Sequence, residues 1–214
     1  MSFTIKLVGS QVDNLKRICL ATNSKERYYA PLKCVRMEAL GKANGVVSLQ
    51  FSATDGKLLL AERIQVEGSG LTKGQSFYIP ATQLKKSLGW KPQEATISFD
   101  PEWKAWGVTV GPKVKAGGHG EFATISHSFA NLTDTGPDYK KYLDDYVFAD
   151  LPSNRLGNTG FNPLYFRKLA DVYGRMPVVL FPSEEEGGPV AFRASNHEDP
   201  VRGILMPVRL YGHG

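Results

Sequence analysis

VVSLQFSATDGKLLLA, residues 46–61, is the stretch on which the reading of the fold turns. Val47, Leu49, Phe51 and Ala53 alternate with Ser48, Gln50 and Ser52, the period-two pattern of a strand with one face on a core. Asp55-Gly56 then supplies turn chemistry before the apolar run Leu58–Ala61. Similar alternation returns in Trp106, Val108 and Val110 around Gly107 and Thr109. It returns again in Val190, Phe192 and Ala194 around Ala191, Arg193 and Ser195. Asp100-Pro101 and the Glu-Glu-Gly-Gly-Pro stretch ending at Pro189 punctuate these runs, and Gly41–Gly45 reads as a hairpin loop.

Outward from the strands, three short helices are expected. The first starts at Ser10 as N-cap and turns Val12, Leu15, Ile18, Cys19 and Thr22 inward. The second runs from Pro80 to Leu88, with Ala81, Leu84 and Leu88 inward and Gly89 as the stop. The third takes Asn162 as cap, Pro163 at the first helical position and Gly174 as the stop; its expected inner face is Phe166, Leu169, Ala170 and Tyr173. A strand, a helix and then three strands recur as a unit over about Phe3–Val66, Phe77–Ser126 and Gly160–Val208. Units of this kind bury one sheet face under their helices, which predicts an α+β fold. The expected organisation is a two-unit domain over 1–130, a connector over 131–159 rich in Asp, Tyr and Pro, and a single unit over 160–214.

The 214 residues are 42% hydrophobic and 22% charged, ordinary for a globular protein with a real core. No apolar run approaches bilayer length, and the N-terminus lacks the basic-then-apolar layout of a secretion signal. Cys19 and Cys34 lie in apolar patterns, so a reduced, cytoplasmic protein without disulfides is expected. The net charge is +5, which favours a polyanionic partner. Its placement is more informative. Each helix carries an apolar anchor followed at once by two cations: Leu15 with Lys16 and Arg17, Leu84 with Lys85 and Lys86, Phe166 with Arg167 and Lys168. Residues one and two places beyond a buried anchor turn roughly 100° and 200° away from the core. On one helix such a pair is an ordinary solvated face. On three helices with no acid among six positions, it predicts an electropositive surface that neutralises phosphates without reading sequence.

Several phrases resemble the bacterial DNA sliding clamp, the beta subunit of DNA polymerase III. Glu26–Tyr29 with Leu32 and Val35–Glu38 is similar to the segment after the first helix of the clamp's middle domain, and Ser52–Ala61 to its "ATDG…RLA" hairpin. Pro137–Lys141 resembles the "FPDYRR" connector, Phe161-Asn162-Pro163 with Tyr165 the "FNxxYL" start of the final helix, and Met206–Leu210 the terminal "MPMRL". The resemblance implies a DNA-clamp-like fold, with helices on one face of a curved antiparallel sheet. It implies a head-to-tail homo-oligomer around duplex DNA, with Lys16, Arg17, Lys85, Lys86, Arg167 and Lys168 facing the DNA. It also implies an apolar pocket for a short peptide of a polymerase or other replication protein. Leu32, Thr54, Gly56 and Leu59 would form one wall, and Ile204, Met206, Pro207 and Val208 the other. One departure matters. Only the second unit of the clamp's last domain has a counterpart in this sequence, and the connector between Lys141 and Gly160 is too short to hold a missing helix plus three strands.

Catalytic patterns are absent from this reading. The four histidines have no metal-ligand spacing, Lys115–Gly120 lacks the lysine and hydroxyl of a phosphate-binding loop, and no nucleophile elbow occurs. Glu184–Glu186 reads as a solvated hairpin tip. No enzyme activity, cofactor, metal or membrane contact is expected. Two readings stay open: a processivity scaffold that encircles DNA, and a clamp-derived protein that does not encircle DNA and instead regulates a polymerase or clamp loader.

Overall fold

The computed structural model describes residues 2–89, 94–111, 125–136, 140–148, 160–185, 187–196 and 198–208. The Lys115–Gly120 loop, Pro137–Tyr139, Glu186, His197, Arg209, Leu210 and His213 lie outside the described residues. The first unit is β1 (Phe3–Val8), α1 (Ser10–Ile18), β2 (Cys34–Ala43), β3 (Val46–Thr54) and β4 (Leu58–Ser69). The second is β5 (Ser76–Pro80), α2 (Ala81–Ser87), β6 (Glu94–Asp100), β7 (Ala105–Val110) and β8 (Ile125–Ala130). In the third, an antiparallel bridge between Gly160 and Val208 stands where the leading strand would be. It is followed by α4 (Pro163–Tyr173), β9 (Val178–Pro182), β10 (Val190–Ala194) and β11 (Arg202–Leu205). Between the second and third units, α3 (Lys140–Tyr142) continues as a π-type turn over Leu143–Val147, closed by Phe148 N–H donating to Leu143 C=O at 2.9 Å.

The strand–helix–three-strand order is observed in the first two units, the third follows it without a leading strand, and the sheet shows how the units combine. All eleven strands join one antiparallel sheet in the order β5-β2-β3-β4-β1-β6-β7-β8, with β11, β10 and β9 branching from β4. The first two units exchange their leading strands: β1 pairs with β6 of the second unit, and β5 with β2 of the first. Phe3, Phe77, Phe99 and Trp106 meet at this exchange, with ring centroids 4.6 to 6.3 Å apart. They form an aromatic centre that neither unit could build alone. The third unit adds its β11 to β4, with Ile204 opposite Leu59 and Leu205 opposite Leu58.

Turn chemistry behaves as the sequence requires. Asp55 Oδ1 accepts from the backbone N–H groups of Lys57 and Leu58, and Gly56 takes φ +89°. The Gly41–Gly45 loop is narrower than expected: β2 runs on to Ala43, leaving Asn44-Gly45 as a two-residue turn with φ of 51° and 80°. Ser10 is not the cap of α1; it is the first helical residue, and Gly9 occupies the cap position with no side-chain bond. Asn162 does cap α4, accepting from Leu164 N–H at 3.0 Å. The expected inner face of α4 needs correction. Leu169, Val172 and Tyr173 are buried, whereas Phe166 and Ala170 are exposed. The apolar arc of this helix is wider than the sheet beneath it can cover. Cys19 and Cys34 are buried and unpaired, and burial pushes both thiols up to about 12, where they stay protonated.

Candidate nucleic-acid interface

The helices stand in a row on the core. α1 contacts α4, and the helical turn after α1, Cys19–Ala21, contacts both α2 and α4. Val12, Leu15 and Ile18 of α1, Ala81 and Leu84 of α2, and Leu169 and Val172 of α4 all enter one hydrophobic cluster with the strands. The cations beside those anchors accordingly leave the core on the helix side. Their fates differ. Lys85, Lys86 and Arg167 are exposed and make no ion pair among the described residues. Lys85 and Lys86 rim an open cleft of about 480 Å³ between the end of α1 and α2, with Thr22, Ser24 and Thr82 as hydroxyl neighbours. Two lysines with three hydroxyls suit phosphate oxygens. Lys16 is half-covered; desolvation lowers its pKa, and its ammonium lies 3.6 Å from its own helix's Asp13.

Arg17 and Lys168 are engaged elsewhere. Arg17 donates to both carboxylate oxygens of Asp199, at 3.1 and 2.9 Å, and to Asn14 Oδ1 at 3.1 Å; its guanidinium stacks 5.0 Å from the Tyr173 ring centre. Lys168 pairs with Asp55 of the β3–β4 hairpin. Both cations hold the third unit against the first, so the exposed charge rests on Lys85, Lys86 and Arg167, with Lys16 at its edge.

Behind Arg17 lies a buried polar chain that the sequence does not announce. Asn14 Nδ2 donates to Glu62 Oε1 at 2.8 Å, and the Tyr173 hydroxyl donates to Val201 C=O. Glu62 Oε2 has no hydrogen-bond partner among the described residues. Desolvation raises the Glu62 pKa from 4.5 to about 7, against the opposing pull of the Asn14 bond and Arg17. The folded protein therefore holds a proton on Glu62 that the unfolded chain releases. Its contribution is full below about pH 4.5 and is lost as pH rises towards 7. Denaturation midpoints of the wild type should fall between pH 5 and 7 relative to Glu62→Gln, whose side chain cannot titrate; parallel pH profiles would contradict this.

On another face, Leu59 and Ile204 are cross-strand neighbours, and Leu143 and Val147 of the connector cover them together with Ala61. Met206 and Phe148 pack at the margin of this cluster. Arg63 fastens the segment, donating to Asp144 at 2.8 Å and lying 3.9 Å from the Phe148 ring centre. This explains why β4 begins with five consecutive buried residues, Leu58 to Glu62. Its first half has cover on both faces. Thr54 is buried, its hydroxyl accepting from Gly56 N–H, and Met206 N–H donates to Lys57 C=O at 2.8 Å. Of the eight expected pocket residues, Leu59, Ile204 and Met206 meet in one cluster, and Thr54 and Gly56 lie on the adjoining hairpin. Pro207 is half-buried and Val208 exposed, both just past β11. Leu32, half-buried in the turn Ala30–Lys33, belongs to neither hydrophobic cluster. Leu143 and Val147, four apart in Tyr-Leu-Asp-Asp-Tyr-Val-Phe, are the signal that identifies the cover. Leu143→Ala should cost about 2 kcal/mol and release amide protection over 140–148 before global unfolding. Hydrogen exchange that is unchanged in this segment would show that Leu143 does not hold it down.

Among the described residues, no group of three His, Cys, Asp or Glu is placed to hold a metal ion, and no helix is long and apolar enough to cross a membrane. Repeated strand–helix–three-strand units, with exchanged leading strands and a row of helices on one face of a curved sheet, are the architecture of the DNA-clamp fold. The chain carries the fold of the bacterial sliding clamps. It superposes on the Helicobacter pylori beta clamp bound to a DNA ligase peptide with TM-score 0.69 at 15% identity, over 97% of this chain and 66% of that one. The sliding clamp of Pseudomonas aeruginosa gives 0.66 at 17% identity, over 97% and 67%. That of Bacillus subtilis gives 0.64 at 13%, over 97% and 64%. The chain thus spans about two thirds of the length of these clamps. No protein-family model matches the sequence, and no curated protein matches it.

Proposed function

We propose that this protein is a clamp-like processivity scaffold that tracks duplex DNA without reading its sequence and recruits a replication protein through a short peptide. The observation that carries the reading is the row of helices presenting Lys85, Lys86 and Arg167 to solvent on a sliding-clamp fold. Charge on helices aligned along one wall suits a phosphate backbone, because neutralisation releases counterions at any sequence. The described helices offer no repeated exposed aromatic platform for single-stranded bases. In this reading chemistry is left to the partners that the scaffold holds.

The peptide would enter beside Leu59, Ile204 and Met206, next to Thr54, Gly56, Pro207 and Val208, with the Leu143–Phe148 segment as one wall. Small side chains, a flexible Met and little charge suit an apolar peptide anchor. The H. pylori clamp similar to this chain is seen with a DNA ligase peptide. Encirclement is tested by retention on DNA of different topology. The protein should stay on closed circular duplex through a salt wash and leave when the circle is linearised. Equal retention on both forms would rule out encirclement. It would favour the non-encircling regulator, for which the single unit of the final domain is the motive.

A further inference from the structure

In residues 3–130 neither unit is complete by itself, since each lends its leading strand to the other. This reciprocity is that of a twofold relation between two similar halves. The third unit has the same parts but no second half. Its lead residue Gly160 lies antiparallel to Val208, just past its own last strand, as Thr4–Lys6 of β1 lie against Glu67–Ser69 of β4. On its other side β1 takes β6, the first strand after the helix of the opposite unit. The equivalent strand here is β9, which pairs only with β10 and leaves its other edge open among the described residues. Open edges are normally covered, because unpaired backbone groups invite another strand.

The side chains beside that edge match. Phe166, Ala170, Gly174, Met176, Val178 and Leu180 line an open groove of about 280 Å³ along α4 and β9. Phe166, Met176 and Val179 are exposed, and Phe161 packs edge-on against Phe166 at 5.8 Å. This is the part of α4's apolar arc that its own sheet leaves bare. The intervening residues 131–159 are fewer than any of the units, and Leu143 and Val147 among them are already buried on β4 and β11. The groove lining carries no charge, so two copies of it would meet without like-charge repulsion.

We infer that the open edge of β9 and the bare side of α4 dock the same face of a second copy of this chain about a twofold axis. Two third units then complete one another as the first two do within the chain. The contact is isologous: each copy's Gly160–Asn162, just before α4, lies along the other's β9. It rests on the clamp fold and not on DNA binding, so it is tested without DNA, and its failure is separable from that of the retention assay.

The test is the mass of the full chain by light scattering at micromolar concentration, expected at twice 23.5 kDa. Phe166→Glu with Val179→Lys alters exposed positions only, and circular dichroism monitors the fold. This variant should return to the single-chain mass, with association weakened by at least about tenfold. Ile125→Lys, on the exposed side of the opposite edge strand β8, should stay dimeric. A wild type at single-chain mass would overturn the inference. So would a folded Phe166→Glu/Val179→Lys variant that associates like the wild type, or dissociation caused by Ile125→Lys.

Discussion

Replacing Lys85, Lys86 and Arg167 together by glutamate should weaken duplex DNA binding roughly 100-fold at moderate salt. The log–log salt dependence should become shallower by about 3, because each lost phosphate contact removes about 0.9 from the slope. All three side chains are solvent-facing, so the fold should tolerate the change. Titration by fluorescence anisotropy across a salt series gives the slope directly. A slope equal to wild type would take these residues off the DNA face, whatever the change in affinity. Six cations are expected on such a face from the sequence, but the structure separates them. Arg17 and Lys168 have Asp199 and Asp55 as partners, so substituting them tests the junction between units more than the DNA.

The second large effect is at that junction. Arg17→Met should destabilise the protein by about 3 kcal/mol, in the range found when one partner of a buried ion pair is removed. The Asp199 side chain is only 7% exposed and Arg17's 18%, so the carboxylate left behind cannot recover its hydration. Asn14 would lose a donor on the same chain of contacts, and Tyr173 would lose the guanidinium over its ring. Adding Asp199→Asn should recover part of the loss, since a neutral amide leaves no bare charge and can still accept from Val201 N–H. Urea unfolding of the single and double variants measures both terms. Equal stability of Arg17→Met and wild type would mean that the pair contributes nothing to holding the β10–β11 loop of the third unit against α1. Loss of the junction would also loosen Ile204 and Leu205 from Leu59 and Leu58, and with them the proposed peptide site.

Much of the fold is legible in local pattern. The period-two runs gave β3, β7 and β10, and Asp55-Gly56 and Asp100-Pro101 gave turns closed by their own carboxylates. Asn162, Pro163 and Gly174 bound α4 for reasons internal to a helix: a cap acceptor, a residue with no donor to lose, and a glycine at φ +63°. Ser10 misled because the cap position falls on Gly9, whose φ of 50° suits glycine in a tight turn out of β1. Phe166 and Ala170 misled in a more informative way. They belong to a genuine apolar arc, but periodicity says only that an arc wants cover, not which surface supplies it.

By itself the sequence marked most of the strands, the three helices with cation pairs, and the placement of those pairs beyond each helix anchor. Those properties depend on neighbours within a few residues, through backbone geometry and side-chain periodicity. Tertiary structure alone decided which cations stay free and which apolar residues stay open. Arg17 meets Asp199 across 182 positions, Lys168 meets Asp55 across 113, and Leu143 lies over a strand pair formed from residues 58–61 and 202–205. Charge pairing and burial act through space, and at such separations no local pattern records them.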